Sequence, residues 1–194
     1  MDNICEVVTR LESYYMQKSK NKIPVSSNIA RNQSYLEDRL GVGVSFDVGF
    51  REIIILKKKV QLYYVTGLCD SSINQELLKK IVEINDFARN YRKLREIIEN
   101  RLVHQQVDPL DTMDEVVDQL LSGLVIVFID GEKRALVVDV RSYPGRTPQE
   151  PDTEKVIRGS RDGYTENIIE NTALTRRRIR DERLRHEMLK IGER

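Results

Sequence analysis

Apolar residues recur at helical spacing close to the N-terminus. Across residues 2–18, apolar or aromatic side chains stand at i, i+3, i+4, i+7, i+10 and i+11, which predicts an amphipathic helix with one apolar stripe. That stripe must cover a surface, either the chain's own core or a partner. After a polar break, Ser26 or Ser27 is suited to cap a second helix, which Gly41 is expected to end.

Between residues 44 and 65 the pattern changes to one typical of β-strands. β-Branched and aromatic residues dominate this stretch and are interrupted by the lysines at 57–59. The pattern predicts two strands, about 47–56 and 59–65, paired as a hairpin whose turn carries the lysines into solvent.

A second hairpin is predicted from two apolar runs. Residues 124–129 and 135–140 flank Asp130-Gly131, a dipeptide that favours a type I′ turn. Apolar runs of this kind indicate strands that are buried on both faces.

Three helices are predicted between the hairpins. Ser72 and Gln75 form a capping box for the first, and the apolar line within residues 86–102 predicts the second. Residues 103–111 include a proline and are interpreted as a connection, after which Thr112 caps the third helix.

This order of hairpin, helices and hairpin predicts an α/β (α+β) fold with a mixed sheet of about four strands packed with helices. Residues 1–142 are assigned to this first subdomain. Residues 143–161 hold closely spaced prolines and glycines and are interpreted as a linker that ends in an arginine-bearing loop. Residues 162–194 are predicted to begin a second, incomplete α/β subdomain, with a helix at about 163–180 and a strand at 184–191.

Composition narrows the possible functions without selecting one. The 194 residues are 40% hydrophobic and 32% charged, and 32 basic residues balance 31 acidic ones, so net charge does not favour nucleic acid. Two distant cysteines and two isolated histidines indicate neither a disulfide framework nor a metal site. No nucleophile stands beside a plausible base, so neither an enzyme nor a cofactor is expected. The sequence also shows no signal peptide and no apolar run near the ~20 residues of a membrane span, and a reduced, cytosol-facing protein is expected.

Residues 158–163 read RGSRDG and precede a helical pattern. Glycine-rich backbone before a helix can hold an anion. Because no lysine and hydroxyl follow the second glycine, a P-loop that binds nucleoside triphosphates is not indicated. The simpler interpretation is that Arg158 and Arg161 pair with nearby carboxylates and brace the linker, the candidates being Asp162, Glu166 and Glu154.

A long ordered set of residues at this point resembles the signature of the spore germinant receptor A-subunit family. The matching positions are Glu150, Pro151, Glu154, 157–166, Asn171, Leu174 and 176–179. Shorter upstream segments that fit the same family are 46–48, 64–70, 128–131 and 139–141. The resemblance spans about residues 40–194.

The resemblance implies the cytoplasm-facing, core-side N-terminal region of a spore inner-membrane germination protein. It would sense a ligand or partner and act on a membrane domain, C-terminal to this chain, involved in ion or dipicolinate release. The implied partners are other germination membrane proteins, namely stage V sporulation A proteins or receptor subunits. Self-association into a homo-oligomer is left open, and no nucleic acid is expected. The residues assigned to a subdomain interface or binding site are Arg158, Gly159, Arg161, Asp162, Gly163, Glu166, Asn171, Arg176 and Arg178.

Residues 173–185 suggest an alternative function, because this segment contains six arginines and only two acidic residues. Such a segment can bind anions, nucleic acid or lipid headgroups. However, no aromatic residue interleaves the arginines, and those at 176–178 spread over about 200° of a helix at ~100° per residue. A solvated or partner-facing helix end is the preferred interpretation.

Overall fold

The computed structural model describes residues 22–87, 94–101, 106–143, 164 and 166–192. Its helices are α1 (Ile29–Leu40), α2 (Ser71–Val82), α3 (Ile84–Phe87), α4 (Leu94–Arg101), α5 (Met113–Leu121) and α6 (Ile168–Ile179). Its strands are β1 (Val48–Ile55), β2 (Lys58–Val65), β3 (Val107–Leu110), β4 (Val125–Ile129) and β5 (Ala135–Val138). The helix predicted at 2–18 and most of the predicted linker lie outside the described residues.

The strands form one sheet in the order β1-β2-β4-β5-β3, which confirms the predicted fold class. The sheet has five strands rather than four, and every pairing is antiparallel rather than mixed. The additional strand, β3, lies in the stretch interpreted as a connection, and its Pro109 pairs with Leu136 of β5. Since β3 is an edge strand, a residue without a backbone N–H is tolerated there.

Both predicted hairpins form, with turns that differ from those expected. In the first, β1 and β2 are joined by Leu56 and Lys57, which both have positive φ angles of 47° and 66°. In the second, residues 130–134 connect β4 to β5, so the turn is longer than the two-residue type I′ turn predicted. Tertiary contacts shape this longer loop, because the N–H of Asp130 donates to the Lys59 carbonyl (2.9 Å).

Helices cover both faces of the sheet. One core cluster joins β2, β4 and β5 to α1 and α5, and it includes Ala173 of α6. The other cluster joins the opposite face of the same strands to α2, α3 and α4. Helix α6 therefore packs on the core of the first predicted subdomain. The assignment of residues 162–194 to a second subdomain stays a prediction.

Several helix ends use a different cap from the one predicted. The side chain of Asn28, rather than a neighbouring serine, accepts a hydrogen bond from the N–H of Ala30 and begins α1. Asp70, rather than the predicted capping box, caps α2. Thr112 caps α5 as predicted. In each case a side-chain oxygen satisfies an N–H that the first helical turn leaves unpaired.

The predicted helix at 86–102 and the predicted C-terminal strand both differ in the structure. The described residues of the first region form α3 and α4, and residues 88–93 between them lie outside the description. The strand predicted at 184–191 is wrong, because residues 181–192 have no regular secondary structure. Within the described ranges, no helix has the length and apolarity needed to cross a bilayer.

Candidate functional site

The most heavily connected polar group in the described structure is the guanidinium of Arg176, in the third turn of α6. Its side chain has 0% exposure, and it forms a two-pronged ion pair with Asp47, which is 1% exposed. Nε donates to Oδ2 of Asp47 (2.8 Å) and Nη2 donates to Oδ1 (3.0 Å). This planar geometry matches the fork of a guanidinium to the two oxygens of a carboxylate.

Three further hydrogen bonds of Arg176 reach the same loop as Asp47 and the segment after α6. Nη2 also donates to Oγ of Ser45 (3.2 Å), in the segment that precedes β1. Nη1 donates to the carbonyls of Leu184 (3.1 Å) and Asp181 (3.4 Å), which follow α6. One side chain thus ties α6 both to the loop before β1 and to the segment that follows the helix. We call Arg176, Asp47, Ser45 and His186 the buried joint.

Asp47 has a donor at each of its four acceptor positions. Besides Arg176, its carboxylate accepts from Oγ of Ser45 (2.6 Å) and lies 3.0 Å from Nδ1 of His186. Burial raises the pKa of Asp47, but hydrogen bonds from Arg176, Ser45 and His186 lower it more, so the net pKa is below its usual value. The carboxylate is therefore held ionised opposite the guanidinium.

The loop before β1 positions the acidic side of the joint. Gly41 ends α1 with a φ of 64°, and its carbonyl accepts hydrogen bonds from the N–H groups of Val44 (2.9 Å) and Ser45 (2.8 Å). The carbonyl of Asp47 then accepts from the N–H of Thr66 (2.7 Å), next to the end of β2. These backbone bonds fix Ser45 and Asp47 without using their side chains.

Residues 180–186, which we call the strap, close over this loop after α6. Arg180 has a φ of 47° and turns the chain away from the helix. The carbonyl of His186 accepts from the N–H of Phe46 (2.9 Å), and its own N–H donates to Oγ of Ser45 (2.9 Å). The strap therefore pairs with the loop through backbone as well as side-chain contacts.

The strap also binds the end of α1. Nη2 of Arg185 donates to the carbonyls of Asp38 (3.2 Å) and Arg39 (3.0 Å). Carbonyls in the last turn of a helix have no N–H partner within the helix. Nη2 of Arg39 lies 2.9 Å from a carboxylate oxygen of Glu182. A cation at a helix C-terminus is favourable because the carbonyl dipoles point towards it.

These contacts form a structural connection between α6, the loop before β1 and the strap. The carboxylate and guanidinium of the joint direct their hydrogen bonds at each other and at the chain. No group of metal-ligating side chains occurs among the residues the structure describes. Breaking one partner of a buried, hydrogen-bonded ion pair typically costs about 3–5 kcal/mol, so the joint resists separation of α6 from the loop.

The structure describes four of the nine predicted site residues. Arg176 lies at the centre of the joint, Asn171 is buried in α6, and Glu166 and Arg178 are exposed. The five others, which lie outside the described residues, are Arg158, Gly159, Arg161, Asp162 and Gly163.

Three members of the joint were not predicted as site residues. Asp47 lies in one of the segments that carry the family resemblance, and this membership could have marked it as a candidate site residue. Ser45 and His186 had no such signal, because their roles depend on contacts with Arg176 and with Asp47 across 131 and 139 residues of chain, respectively.

The arginine-rich segment is largely engaged with the chain itself. Besides Arg176 and Arg185, the guanidinium of Arg177 lies over the ring of Tyr143 (4.2 Å to the centroid). Arg183 pairs with Asp181 (2.9 Å). Part of the segment is thus engaged within the chain, and binding of nucleic acid or lipid headgroups by it stays a prediction.

The fold around the joint is similar to that of a solved domain. It matches the crystal structure of the N-terminal domain of the A subunit of the Bacillus megaterium spore germinant receptor GerK3, with a TM-score of 0.68 and 23% sequence identity. The match covers 90% of this chain and 63% of that chain. At this identity the likeness shows the fold.

Sequence similarity then shows the family. Residues 34–194 match the model of the family described as Bacillus/Clostridium GerA spore germination protein, and the chain belongs to this GerA family. It is 54% identical over 175 residues to stage V sporulation protein AF of Bacillus subtilis, a match that covers 90% of this chain and 36% of that protein. It is 29% identical to spore germination protein KA of the same organism, over 91% of this chain and 32% of the relative. The chain thus spans about a third of the length of these relatives.

Proposed function

We propose that this chain is the sensing and coupling module of a spore germination protein. In this proposal it lies on the core side of the spore inner membrane and responds to a ligand or a partner protein. It passes that response to a membrane domain involved in the release of ions or dipicolinate. Family membership supports the germination role, and the buried joint is the observation that supports coupling.

The joint supports coupling because it connects segments that are far apart in the chain. Asp47 and Arg176 are separated by 129 residues, yet both side chains are almost completely buried at their contact. The strap continues directly from this contact towards the C-terminal end of the chain. If the membrane domain follows the strap, a displacement of the sheet or of α1 reaches it through the joint instead of being absorbed by a loose connection.

The partners we propose are other germination membrane proteins, either stage V sporulation A proteins or receptor subunits. A relative in the structural comparison is itself described as the A subunit of a receptor. Assembly of further copies of this chain is an alternative within the same proposal. Both arrangements leave the buried joint inside the protomer, where it acts between segments of one chain.

The test replaces Arg176 with lysine in the full-length protein and measures dipicolinate release from spores. Lysine keeps the charge but cannot form the two-pronged contact with Asp47. We expect slower or incomplete release while the purified chain keeps its circular dichroism spectrum. The matched control is Lys22→Gln, which removes an exposed ion pair with Glu115 (3.1 Å) and should release dipicolinate normally.

Normal release by the Arg176→Lys spores, with the variant present at the wild-type level, would refute a coupling role for the joint. Immunoblotting of the spore membrane fraction gives that level. A variant that is lost from the membrane is replaced in the test by Ser45→Ala, which removes one hydrogen bond of the joint and retains both charges.

A further inference from the structure

A cavity of about 500 Å³ lies beside the first turns of α1 and is lined by none of the residues of the buried joint. Apolar side chains from three parts of the chain form much of its wall, and they are Val25, Tyr35 and Met113. Arg31 of α1 and Lys133 of the β4–β5 loop also line it. Its volume falls within the roughly 300–1,000 Å³ typical of sites for small molecules.

Backbone hydrogen bonds hold one wall of this cavity in place. The N–H of Met113 donates to the carbonyl of Ile23 (2.8 Å), and the N–H of Val25 donates to the carbonyl of Asp111 (2.9 Å). The segment that precedes α1 is thereby attached to the start of α5. A wall fixed by such paired contacts does not need a ligand to form.

The opposite side is fixed by contacts at the start of α1. The amide of the buried Asn32 donates to the carbonyl of Ser26 (2.7 Å) and accepts from the N–H of the same residue (2.9 Å). The N–H of Gly131 donates to the carbonyl of Ser27 (2.9 Å), which attaches the β4–β5 loop to the same segment. This attachment brings Lys133 to the cavity that Arg31 lines.

The charged side chains that line the cavity are of one sign. Its lining includes the cations of Arg31 and Lys133 and no carboxylate. Neither cation forms an ion pair with any carboxylate in the described ranges of the chain. Two cations from separate elements beside an apolar wall match a molecule with an anionic end and an apolar body.

We propose that this cavity binds a small organic anion. Arg31 and Lys133 hold its carboxylate, and its apolar body, about the size of one ring, lies against Val25, Tyr35 and Met113. This inference deepens the sensing role proposed above and names the site of that role. Binding itself is a separate property, since the cavity shares no residue with the buried joint.

The test is an NMR titration of the 194-residue chain with three probes of similar size: benzoate, benzyl alcohol and benzylamine. We expect benzoate to shift the amide signals of residues 23–35 and to bind more tightly than the neutral and cationic probes. Arg31→Gln and Lys133→Gln should each weaken benzoate binding by about threefold to fivefold, the effect of removing one solvent-accessible charge contact.

The matched control is Arg51→Gln, which removes a cation beside a different apolar groove, between β1 and α2. It should leave the benzoate affinity unchanged. Equal affinity for all three probes, or unchanged affinity in both cavity variants, would overturn the inference. An absence of shifts at residues 23–35 would do the same, whether nothing fits the cavity or another part of the chain covers it.

The same titration separates this inference from the proposed function. Arg176→Lys should bind benzoate as the wild type does, even where it impairs dipicolinate release. A chain that binds no benzoate but still requires Arg176 in spores would retain the coupling role and lose the cavity as its sensor.

Discussion

Replacing Arg176 with methionine tests the buried joint most directly. The substitution keeps an unbranched apolar stem but removes all five hydrogen bonds that the guanidinium donates. Asp47 then remains buried with Ser45 and His186 as its only described side-chain donors. Loss of one partner from a buried ion pair predicts a fall of about 3–5 kcal/mol in the free energy of unfolding.

This loss is large enough to measure by thermal unfolding. For a chain of about this size, 1 kcal/mol corresponds to a shift of about 2–4 °C in Tm, so the predicted fall is about 6–20 °C. Circular dichroism of the purified chain at neutral pH measures it. The matched control is Arg177→Met, one residue further along α6, which removes only the contact with the ring of Tyr143 and should cost about 0.5–1 kcal/mol.

A double-mutant cycle identifies the cause of the loss. Asp47→Asn combined with Arg176→Met removes both charges, so the double variant should lose clearly less stability than the sum of the two single variants. If Arg176→Met unfolds within about 3 °C of Arg177→Met, the ion pair does not stabilise the attachment of α6. Full additivity in the cycle would also contradict the proposed pairing.

Three further predictions concern neighbouring groups. Gly41→Ala places a side chain at a φ of 64° and in the space of Arg185, whereas Gly43→Ala, at a φ of 88°, has open space around it and meets only the backbone penalty. Urea unfolding should therefore show a larger loss of unfolding free energy for Gly41→Ala than the roughly 1–2 kcal/mol expected for Gly43→Ala. Equal losses would argue against the Arg185 contact. The lowered pKa of Asp47 means that its carboxylate stabilises the fold fully above its unfolded pKa of about 3.9 and loses that contribution as pH falls through the lower folded pKa. The difference in Tm between wild type and Asp47→Asn should thus shrink as pH falls below about 4, and a difference that grows below that pH would contradict the sign of this linkage. Burial raises the pKa of the Cys69 thiol to about 11. Iodoacetamide at pH 8 should therefore alkylate Cys69 at least about tenfold more slowly in the folded chain than in urea, as measured by mass spectrometry of its peptide. Equal rates would refute this.

Much of the local structure follows from neighbouring residues and was predictable. An abundance of β-branched and aromatic residues located the first hairpin, because such side chains pack well on a pleated sheet. Two apolar runs that flank Asp130-Gly131 located the second. Thr112 was recognised as a cap since its hydroxyl serves the N–H of Glu115, three residues further on. The signature at 150–179 identified the family from residue order alone.

Other elements depended on contacts that no local pattern contains. β3 is a strand because Val107–Leu110 pairs with β5 at an open edge of the sheet. A proline, which has no backbone N–H to donate, is tolerated at such an edge. The first residues of the predicted C-terminal strand, 184–186, instead belong to the strap, because the N–H of Phe46 and the guanidinium of Arg176 bind carbonyls there. Each outcome requires a partner from a distant part of the chain.

Arg176 shows the boundary between the two kinds of information. Residue order placed it in a helix and among the site residues, since helical spacing and a family signature are both properties of a contiguous stretch. Its neighbours, Arg177 and Arg178, have the same side chain and are exposed. Only folding distinguishes the three, because it brings the carboxylate of Asp47, 129 residues away in the chain, to one face of α6. Burial of a guanidinium is costly unless an opposite charge is positioned to pair with it.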